Sequence, residues 1–348
     1  MPSSLHLHIG HGKTGSSYLQ SALALSLPAL EAAGICYPID EATARSAGEG
    51  NISGGNIHGR AGALAQLAAS GRVPNDRACL LSAESLFYYI MKSPEGFLED
   101  LAALRGPDPD RVPLHVLLYL RDPVDHAVSH YQQSVKRGNY TGTLADSLGL
   151  YRLPAQTLRV LEVLRGAGAE VTILNYSRHR ARLLPTLENW LGLAPGTLEI
   201  PPVAQVNRSP TRAELELQRL VNASEARQSW RVVSDPLCNQ LPEIRSEQPA
   251  LSSGALAAFL DQMAAVIGSD AYAAAVPEAE RPRVGTLADY AGRFPDPDAQ
   301  DEAVYSFTAA QLQVLAGAIG AEMKRSDHLR DRLEKARRQI HRQKKTAG

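Results

Sequence analysis

With 348 residues, of which 44% are hydrophobic and 21% charged, the chain is long and apolar enough for one large globular domain or two smaller ones, which excludes an intrinsically disordered protein. The formal net charge of −1 provides no overall field that would attract nucleic acid or a membrane, so we expect no nucleic-acid partner and only local anion binding. No apolar run reaches the roughly 18 residues of a membrane helix, no signal peptide is evident, and three scattered cysteines favour a reducing compartment, so we expect a cytoplasmic protein without a transmembrane segment.

Strand and helix patterns alternate over the first part of the chain. Apolar runs of strand length occur at Leu5–Ile9, Gly34–Tyr37, Ala78–Ser82, Leu114–Leu120 and Val171–Asn175. Helical periodicity occurs at Ser16–Leu27, Gly62–Ala69, Pro123–Val135, Thr157–Leu164 and Arg180–Leu191. The alternation predicts a parallel sheet with helices on both faces, whose functional site lies beyond the carboxyl ends of the strands.

From about residue 201 the strand signals stop. Helical patterns at Thr211–Val221, Ser253–Ile267 and Thr308–Met323 are separated by proline-rich loops. We therefore predict an α/β core over residues 1–200 and a helical extension over residues 201–323, which caps the site within the same domain. Residues 324–348 are predicted to form a basic C-terminal helix or tail.

This basic segment carries ten lysines and arginines against three acids. Leu329, Leu333, Ala336 and Ile340 form a narrow apolar stripe with 4-3-4 spacing, which spans fewer than three heptads. The pattern is compatible with a solvated terminal helix, with a contact in a homo-oligomer, or with binding of an anionic partner.

The turn Gly12–Ser17 joins the first strand pattern directly to a helical pattern. Glycines let a backbone curl so that its N–H groups and a helix N-terminus point at a phosphate, and Lys13 adds a positive charge. The sequence differs from a Walker A loop, because Leu7 occupies the position of that motif's first glycine. The turn therefore predicts a phosphate site that differs from an ordinary ATP site.

A second informative segment follows the fourth strand pattern. Arg121 ends that strand, and Ser129 lies eight residues later in the next helix. The arginine fork suits phosphate oxygens, and a serine hydroxyl can complete such a pocket. Alternatively, Asp122 and Pro123 only start a helix, as its cap and first residue.

Together, the segment Ile9-Gly10-x-x-Lys13-Thr14-Gly15-Ser16-Ser17 and the segment Leu120-Arg121-Asp122-Pro123 with Ser129 resemble the sulfotransferase family, whose members use 3′-phosphoadenosine 5′-phosphosulfate (PAPS). The resemblance covers residues 5–211 and implies a P-loop-type α/β fold that needs no metal. It also implies that the turn binds the 5′-phosphosulfate, that Arg121 and Ser129 bind the 3′-phosphate, and that 3′,5′-ADP is the product. The turn residues assigned to the cofactor are Gly12, Lys13, Thr14, Gly15, Ser16 and Ser17.

Glu84 follows the strand pattern Ala78–Ser82 and resembles the general base of carbohydrate sulfotransferases. A carboxylate in an apolar pocket has a raised pKa, which suits removal of a hydroxyl proton. Glu84 could instead only favour the first turn of a helix. His58, in a glycine-rich loop over residues 48–59, is the alternative base, since cytosolic sulfotransferases use a histidine.

Arg208 lies in a segment that resembles an Asn-x-Ser segment of bacterial members, which implies a contact with the 3′-phosphate. The alternative is an exposed residue before a helix cap.

The sequence thus predicts an enzyme that transfers a sulfuryl group from PAPS to a hydroxyl of a carbohydrate, glycolipid or small molecule. Lys13 would stabilise charge on the leaving phosphate, with Glu84 or His58 as base. A P-loop kinase that uses ATP and Mg²⁺ and a non-catalytic sulfotransferase-like binding module remain alternatives. The identity of the acceptor and the oligomeric state stay open.

Overall fold

The computed structural model describes residues 1–48, 55–73, 75–106, 108, 111–202, 208–224, 228–297 and 304–346. It contains a sheet of five parallel strands in the order β2-β3-β1-β4-β5. The strands are β1 (Ser4–Gly10), β2 (Ile35–Cys36), β3 (Ala78–Ala83), β4 (Leu114–Leu120) and β5 (Ala169–Asn175). The predicted α/β class is confirmed, because every predicted strand is present and all of them pair in parallel.

Helices fill the connections between the strands. Within the sheet-containing part they are α1 (Ser16–Leu25), α2 (Leu27–Ala32), α3 (Glu41–Gly48), α4 (Ala63–Ala69), α5 (Ser85–Lys92), α6 (Pro94–Arg105), α7 (Pro123–Arg137), α8 (Leu144–Gly149), α9 (Leu153–Gly166), α10 (Tyr176–His179) and α11 (Leu183–Trp190). The later ones are α12 (Arg212–Ala223), α13 (Ser234–Gln240), α14 (Ser253–Ile267), α15 (Asp270–Ala275) and α16 (Ala309–Thr346). The helical periodicity thus located the longer helices except α6, which has 12 residues, and missed most of the helices of eight residues or fewer.

Both faces of the sheet are covered. Successive residues of a strand point to opposite faces, and on one face Leu80, Leu117 and Tyr119 pack with side chains of α1 and α11. On the other face Leu5 and Leu7 are fully buried, with α5 against β1 and α9 against β5. Helices therefore lie on both faces, as the near-continuous apolar strands predicted.

The topology changes direction at β1. The chain leaves β1 toward the β2 side of the sheet, whereas it leaves β3 for β4 on the other side of β1. Right-handed crossovers then place the two connections on opposite faces. In open parallel sheets ligands bind beyond the carboxyl ends of the strands at such a switch point, and there the loops after β3, β1 and β4 are neighbours.

The chain divides into two compact units. The first comprises Met1–His130, Ala145–Gln205 and Ser253–Gly292, and the second comprises Tyr131–Leu144, Val206–Ser252 and Arg293–Gly348. This division differs from the predicted boundary at residue 200, because α14 and α15 pack against α9 of the sheet unit. The predicted boundary at 323/324 falls inside the single helix α16. Within the described ranges no helix has the length and apolarity that a membrane span requires.

Candidate anion-binding site

The turn between β1 and α1 has an unusual backbone. Gly12, Lys13 and Gly15 have φ values of 40°, 60° and 83°. Glycine adopts this left-handed region without strain, whereas a lysine there carries a conformational cost that neighbouring contacts must offset. The strained Lys13 is exposed, so its ammonium group can contact a ligand at the surface of the turn.

A larger residue at Gly15 would meet both an unfavourable φ of 83° and nearby side chains. A Cβ atom at this position would lie 2.7 Å from Leu183 Cδ1 and 3.0 Å from Tyr176 Cε2. Gly15 is also the N-cap of α1 and provides no side-chain oxygen to the helix. The first N–H groups of α1 therefore have no capping acceptor from this residue, which is the arrangement that favours an anion at a helix N-terminus.

Two buried hydroxyl groups lie in the same turn without a hydrogen-bond partner among the described residues. Thr14 and Ser16 are 0% and 2% exposed, and neither Thr14 Oγ1 nor Ser16 Oγ has such a partner. A buried hydroxyl that makes no hydrogen bond costs free energy. The turn is thus built from donors that a bound phosphate or sulfate oxygen can satisfy, so its residues fit the anionic groups of a nucleotide.

The carbonyl groups of the turn are held from the side of α7. His126 Nε2 lies 3.1 Å from the His11 carbonyl oxygen and 3.2 Å from that of Gly12. Arg121 Nη1 donates to the Lys13 carbonyl oxygen at 2.8 Å. Because the C=O and the following N–H of a trans peptide point in opposite directions, the next N–H groups are turned away from α7.

The tautomer of His126 follows from its partners. Nε2 faces two carbonyl oxygens, which only accept, so this nitrogen must carry the proton. Tyr151 then donates its hydroxyl hydrogen to Nδ1 over 3.0 Å. Burial and the neighbouring His11 hold the pKa of His126 well below its usual value, so the ring is neutral. Sequence reasoning missed this pair, because Tyr151 is 25 residues away in no recognisable motif.

Glu84 lies directly beside the turn. Its Oε2 atom is 3.4 Å from the position that a Cβ atom of Gly12 would occupy. Burial raises the pKa of Glu84, while the nearby Ser16 hydroxyl, short of full hydrogen-bond geometry, and the Lys13 ammonium lower it. The net direction is upward, which is the direction that makes a carboxylate a better base near neutral pH.

Arg121 is half-buried at the end of β4. Its guanidinium carbon lies 5.3 Å from the ring centroid of Tyr176, and desolvation lowers its pKa. Ser129 is also half-buried, but no hydrogen bond between described residues links it to Arg121. Asp122 precedes α7, and its Oδ1 atom accepts from Asn175 Nδ2 at 3.0 Å and from the Arg283 N–H at 2.8 Å.

His58 is exposed in the described part of the glycine-rich loop, whose residues 49–54 lie outside the described ranges. The Asn56 side chain accepts from the Ser82 N–H at 2.8 Å and donates to the Leu80 carbonyl oxygen at 3.0 Å. It thus makes the hydrogen bonds to β3 that a neighbouring strand would make. Gly59 N–H donates to Ser85 Oγ at 2.8 Å, next to Glu84. A cavity of about 620 Å³ adjoins this segment and is lined by residues that include Asp40, Thr43, His58, Arg60 and Arg72.

Arg208 belongs to the second unit and is fully engaged there. Its guanidinium forms a two-pronged pair with the Glu214 carboxylate at 2.7 Å, and the carbonyl oxygens of Ser209, Leu237 and Leu241 accept its remaining N–H donors. Arg208 is 5% exposed, so the expectation of an exposed residue is wrong. All N–H donors of the Arg208 guanidinium are occupied, so none is left for the expected contact with a phosphate.

Comparison of the chain with protein-family models and with curated proteins finds no match in either. The geometry therefore has to identify the chemistry. It brings together, at the carboxyl edge of three adjacent strands, a glycine-rich turn with Lys13, the half-buried carboxylate of Glu84 with its raised pKa, and Arg121.

Proposed function

We propose that the protein is a sulfotransferase that moves a sulfuryl group from PAPS to an acceptor hydroxyl on a P-loop-type sulfotransferase fold. The observation that carries the proposal is the position of Glu84 Oε2, 3.4 Å from the point where a Cβ atom of Gly12 would lie, beside a turn whose Lys13 carbonyl is held by Arg121. A base, an anion-binding turn and a second cation next to one another are what transfer between an anionic donor and a hydroxyl requires.

Each group then has a role that its surroundings support. When bound, PAPS would supply the sulfuryl group and leave as 3′,5′-ADP. Lys13 and the N–H groups of the turn would stabilise the negative charge on the departing phosphate. Glu84 would accept the proton of the acceptor hydroxyl. Arg121 and Ser129 are proposed to hold the 3′-phosphate.

The choice of nucleotide tests the proposal against a P-loop kinase. We expect 3′,5′-ADP to raise the melting temperature in the presence of EDTA, and ATP with Mg²⁺ to have a much smaller effect. Stabilisation by ATP that depends on Mg²⁺, with no effect of 3′,5′-ADP, would favour the kinase.

Transfer of radiolabelled sulfate from PAPS to pooled carbohydrate, lipid and phenol acceptors tests the reaction itself. Lys13→Ala should remove most of the turnover, and Glu84→Gln should abolish transfer while 3′,5′-ADP still binds. If Glu84→Gln keeps full activity and His58→Ala loses it, His58 is the base. A chain that binds 3′,5′-ADP but transfers to none of the acceptor pools would favour the non-catalytic binding module.

The acceptor is proposed to be a carbohydrate or another small hydroxyl compound. The cavity of about 620 Å³ adjoins the segment that contacts Ser85, the residue after Glu84, and its lining includes polar and charged side chains such as Asp40, Thr43 and Arg60. Sugar hydroxyls suit such a lining, because each can exchange hydrogen bonds with it.

A further inference from the structure

Helix α16 has a longer apolar repeat than its C-terminal part alone suggests. The helix has 38 residues, about 57 Å at the usual rise per residue. Leu312, Ile319, Leu333 and Ile340 are spaced by multiples of seven, and Ser326 occupies the remaining position of this series. In heptad notation these are a positions. The d positions are Leu315, Glu322, Leu329 and Ala336. An apolar coiled-coil seam therefore runs along the helix with one polar interruption, at Glu322 and Ser326.

Most of this seam is uncovered. Leu315 is 8% exposed and packs into the core of the second unit with Leu237 of α13, whereas Ile319, Leu329, Leu333 and Ile340 are 49–54% exposed. The exposed part, residues 319–340, spans about 33 Å. A two-position seam is narrower than the broad apolar face of a helix that lies on a membrane, so its shape favours a second helix as the partner.

The flanking charges argue against a second copy of this chain. Arg325 and Arg332 occupy g positions, and Arg330 and Arg337 occupy e positions. In a parallel pair, Arg325 would face Arg330 of the other copy, and Arg332 would face its Arg337. An antiparallel pair that matches Leu329 with Ile340 would set Arg330 against Arg337. Both arrangements place like charges along the seam, which is destabilising.

The positive charge of residues 324–348 also argues against a second copy of this chain as the partner. Residues 324–348 have a net charge of +7, so the other 323 residues carry −8 of the total of −1. Arg325, Arg330 and Arg338 pair with Glu322, Asp327 and Glu334 of the same helix, and with all acids of the segment counted a net charge of +7 remains. A partner must supply acidic residues on both sides of an apolar stripe.

We propose that residues 319–340 of α16 form a docking surface for an acidic amphipathic helix of another protein, which pairs with it as a two-stranded coiled coil. The apolar seam would provide the contact area, and glutamates or aspartates of the partner would pair with the arginines at the e and g positions. This surface is independent of the proposed transfer reaction, because all of its residues lie on α16.

The probe is a fluorescent 28-residue peptide with isoleucine at a, leucine at d and glutamate at e and g, titrated with the full-length protein and followed by anisotropy. A peptide with lysine at e and g is its control. We expect the acidic peptide to bind and the basic peptide not to bind. Circular dichroism of each protein variant checks that α16 remains helical.

Two adjacent arginines provide matched variants. Arg337→Glu changes an e position and should weaken binding about tenfold or more, since it turns an attractive contact into a repulsive one. Arg338→Glu makes the same change in net charge at the outer f position and should alter the affinity less than about twofold. Leu333→Ser should abolish binding, because it interrupts the seam.

Several results would overturn the proposal. Equal losses in both arginine variants would mean diffuse electrostatic attraction, and unchanged binding of Leu333→Ser would exclude the seam. Failure of the acidic peptide to bind the wild-type protein would also exclude a docking surface on this helix. Sedimentation as a dimer that Leu333→Ser dissociates would likewise overturn the proposal, because a second copy would then cover the seam. Stronger retention on phosphatidylserine vesicles, with equal loss in both arginine variants, would assign the helix to a membrane surface.

Discussion

The hydrogen bond between Tyr151 and His126 provides a sharp test of how the turn is held. Tyr151→Phe removes the donor to His126 Nδ1 without changing the shape of the ring. The bond is 3.0 Å long and the imidazole is 1% exposed, so its loss should lower the free energy of unfolding by about 1 kcal/mol. The carbonyl oxygens of His11 and Gly12 still keep the proton on Nε2, but the ring loses the hydrogen bond that fixes its orientation toward them.

The less firmly positioned His126 ring should also weaken ligand binding at the turn. If ordering the turn then costs about 1–2 kcal/mol more, the Kd for 3′,5′-ADP rises roughly 5- to 30-fold. Isothermal titration calorimetry measures the Kd, and urea denaturation measures the stability.

Tyr119→Phe is the matched control. Tyr119 hydrogen-bonds Thr186 Oγ1 at 2.6 Å, so its variant also loses one phenol hydrogen bond, and we expect a similar loss of stability with unchanged affinity. Equal effects of the two variants on the affinity, or no effect of Tyr151→Phe, would refute the role assigned to His126.

Three further outcomes follow from the structure. Glu84→Gln should raise the melting temperature at pH 8 and leave it unchanged at pH 3. Burial raises the pKa of this carboxyl, so its charged form becomes unfavourable as the pH rises through that pKa. Equal shifts of the melting temperature at both pH values would contradict this. Gly15→Ala should destabilise the protein more than Gly71→Ala. Both glycines have positive φ, but only at Gly15 do neighbouring side chains occupy the space that the added Cβ atom needs. Comparable urea midpoints of the two variants would argue against a steric effect at Gly15. Arg208→Met should lower the free energy of unfolding by about 3–5 kcal/mol, because Glu214 would keep a buried charge without its partner. Adding Glu214→Leu should restore much of this stability in the same denaturation assay. If stability is not restored, the ion pair is not the cause of the loss.

Local patterns were enough to predict the sheet. Val116–Leu120 is an unbroken apolar run, and burial on both faces of a sheet suits it. The turn after β1 was equally readable, because Gly12 and Gly15 occupy positions where the backbone needs positive φ. Both inferences depend on residues within a few positions of one another.

The remaining features depend on distant residues. His126 holds the turn across more than 110 positions, and no local spacing reveals that contact. The predicted contact of Arg208 with the 3′-phosphate depended on the resemblance of its segment to an Asn-x-Ser segment of bacterial sulfotransferases, but Glu214, Leu237 and Leu241 enclose its guanidinium. The return of α14 and α15 to the sheet unit likewise depends on packing against α9, which periodicity alone does not specify.

The position of β1 between β3 and β4 also sets the order in which the site can form during synthesis. A nascent chain that ends after Lys92 contains the turn, Lys13 and Glu84, but its turn carbonyls still lack Arg121 and His126. The anchoring donors arrive only with β4 and α7, and Tyr151 follows later still. The candidate site is therefore completed late, so a truncated product would carry the recognisable motif without the contacts that hold the turn.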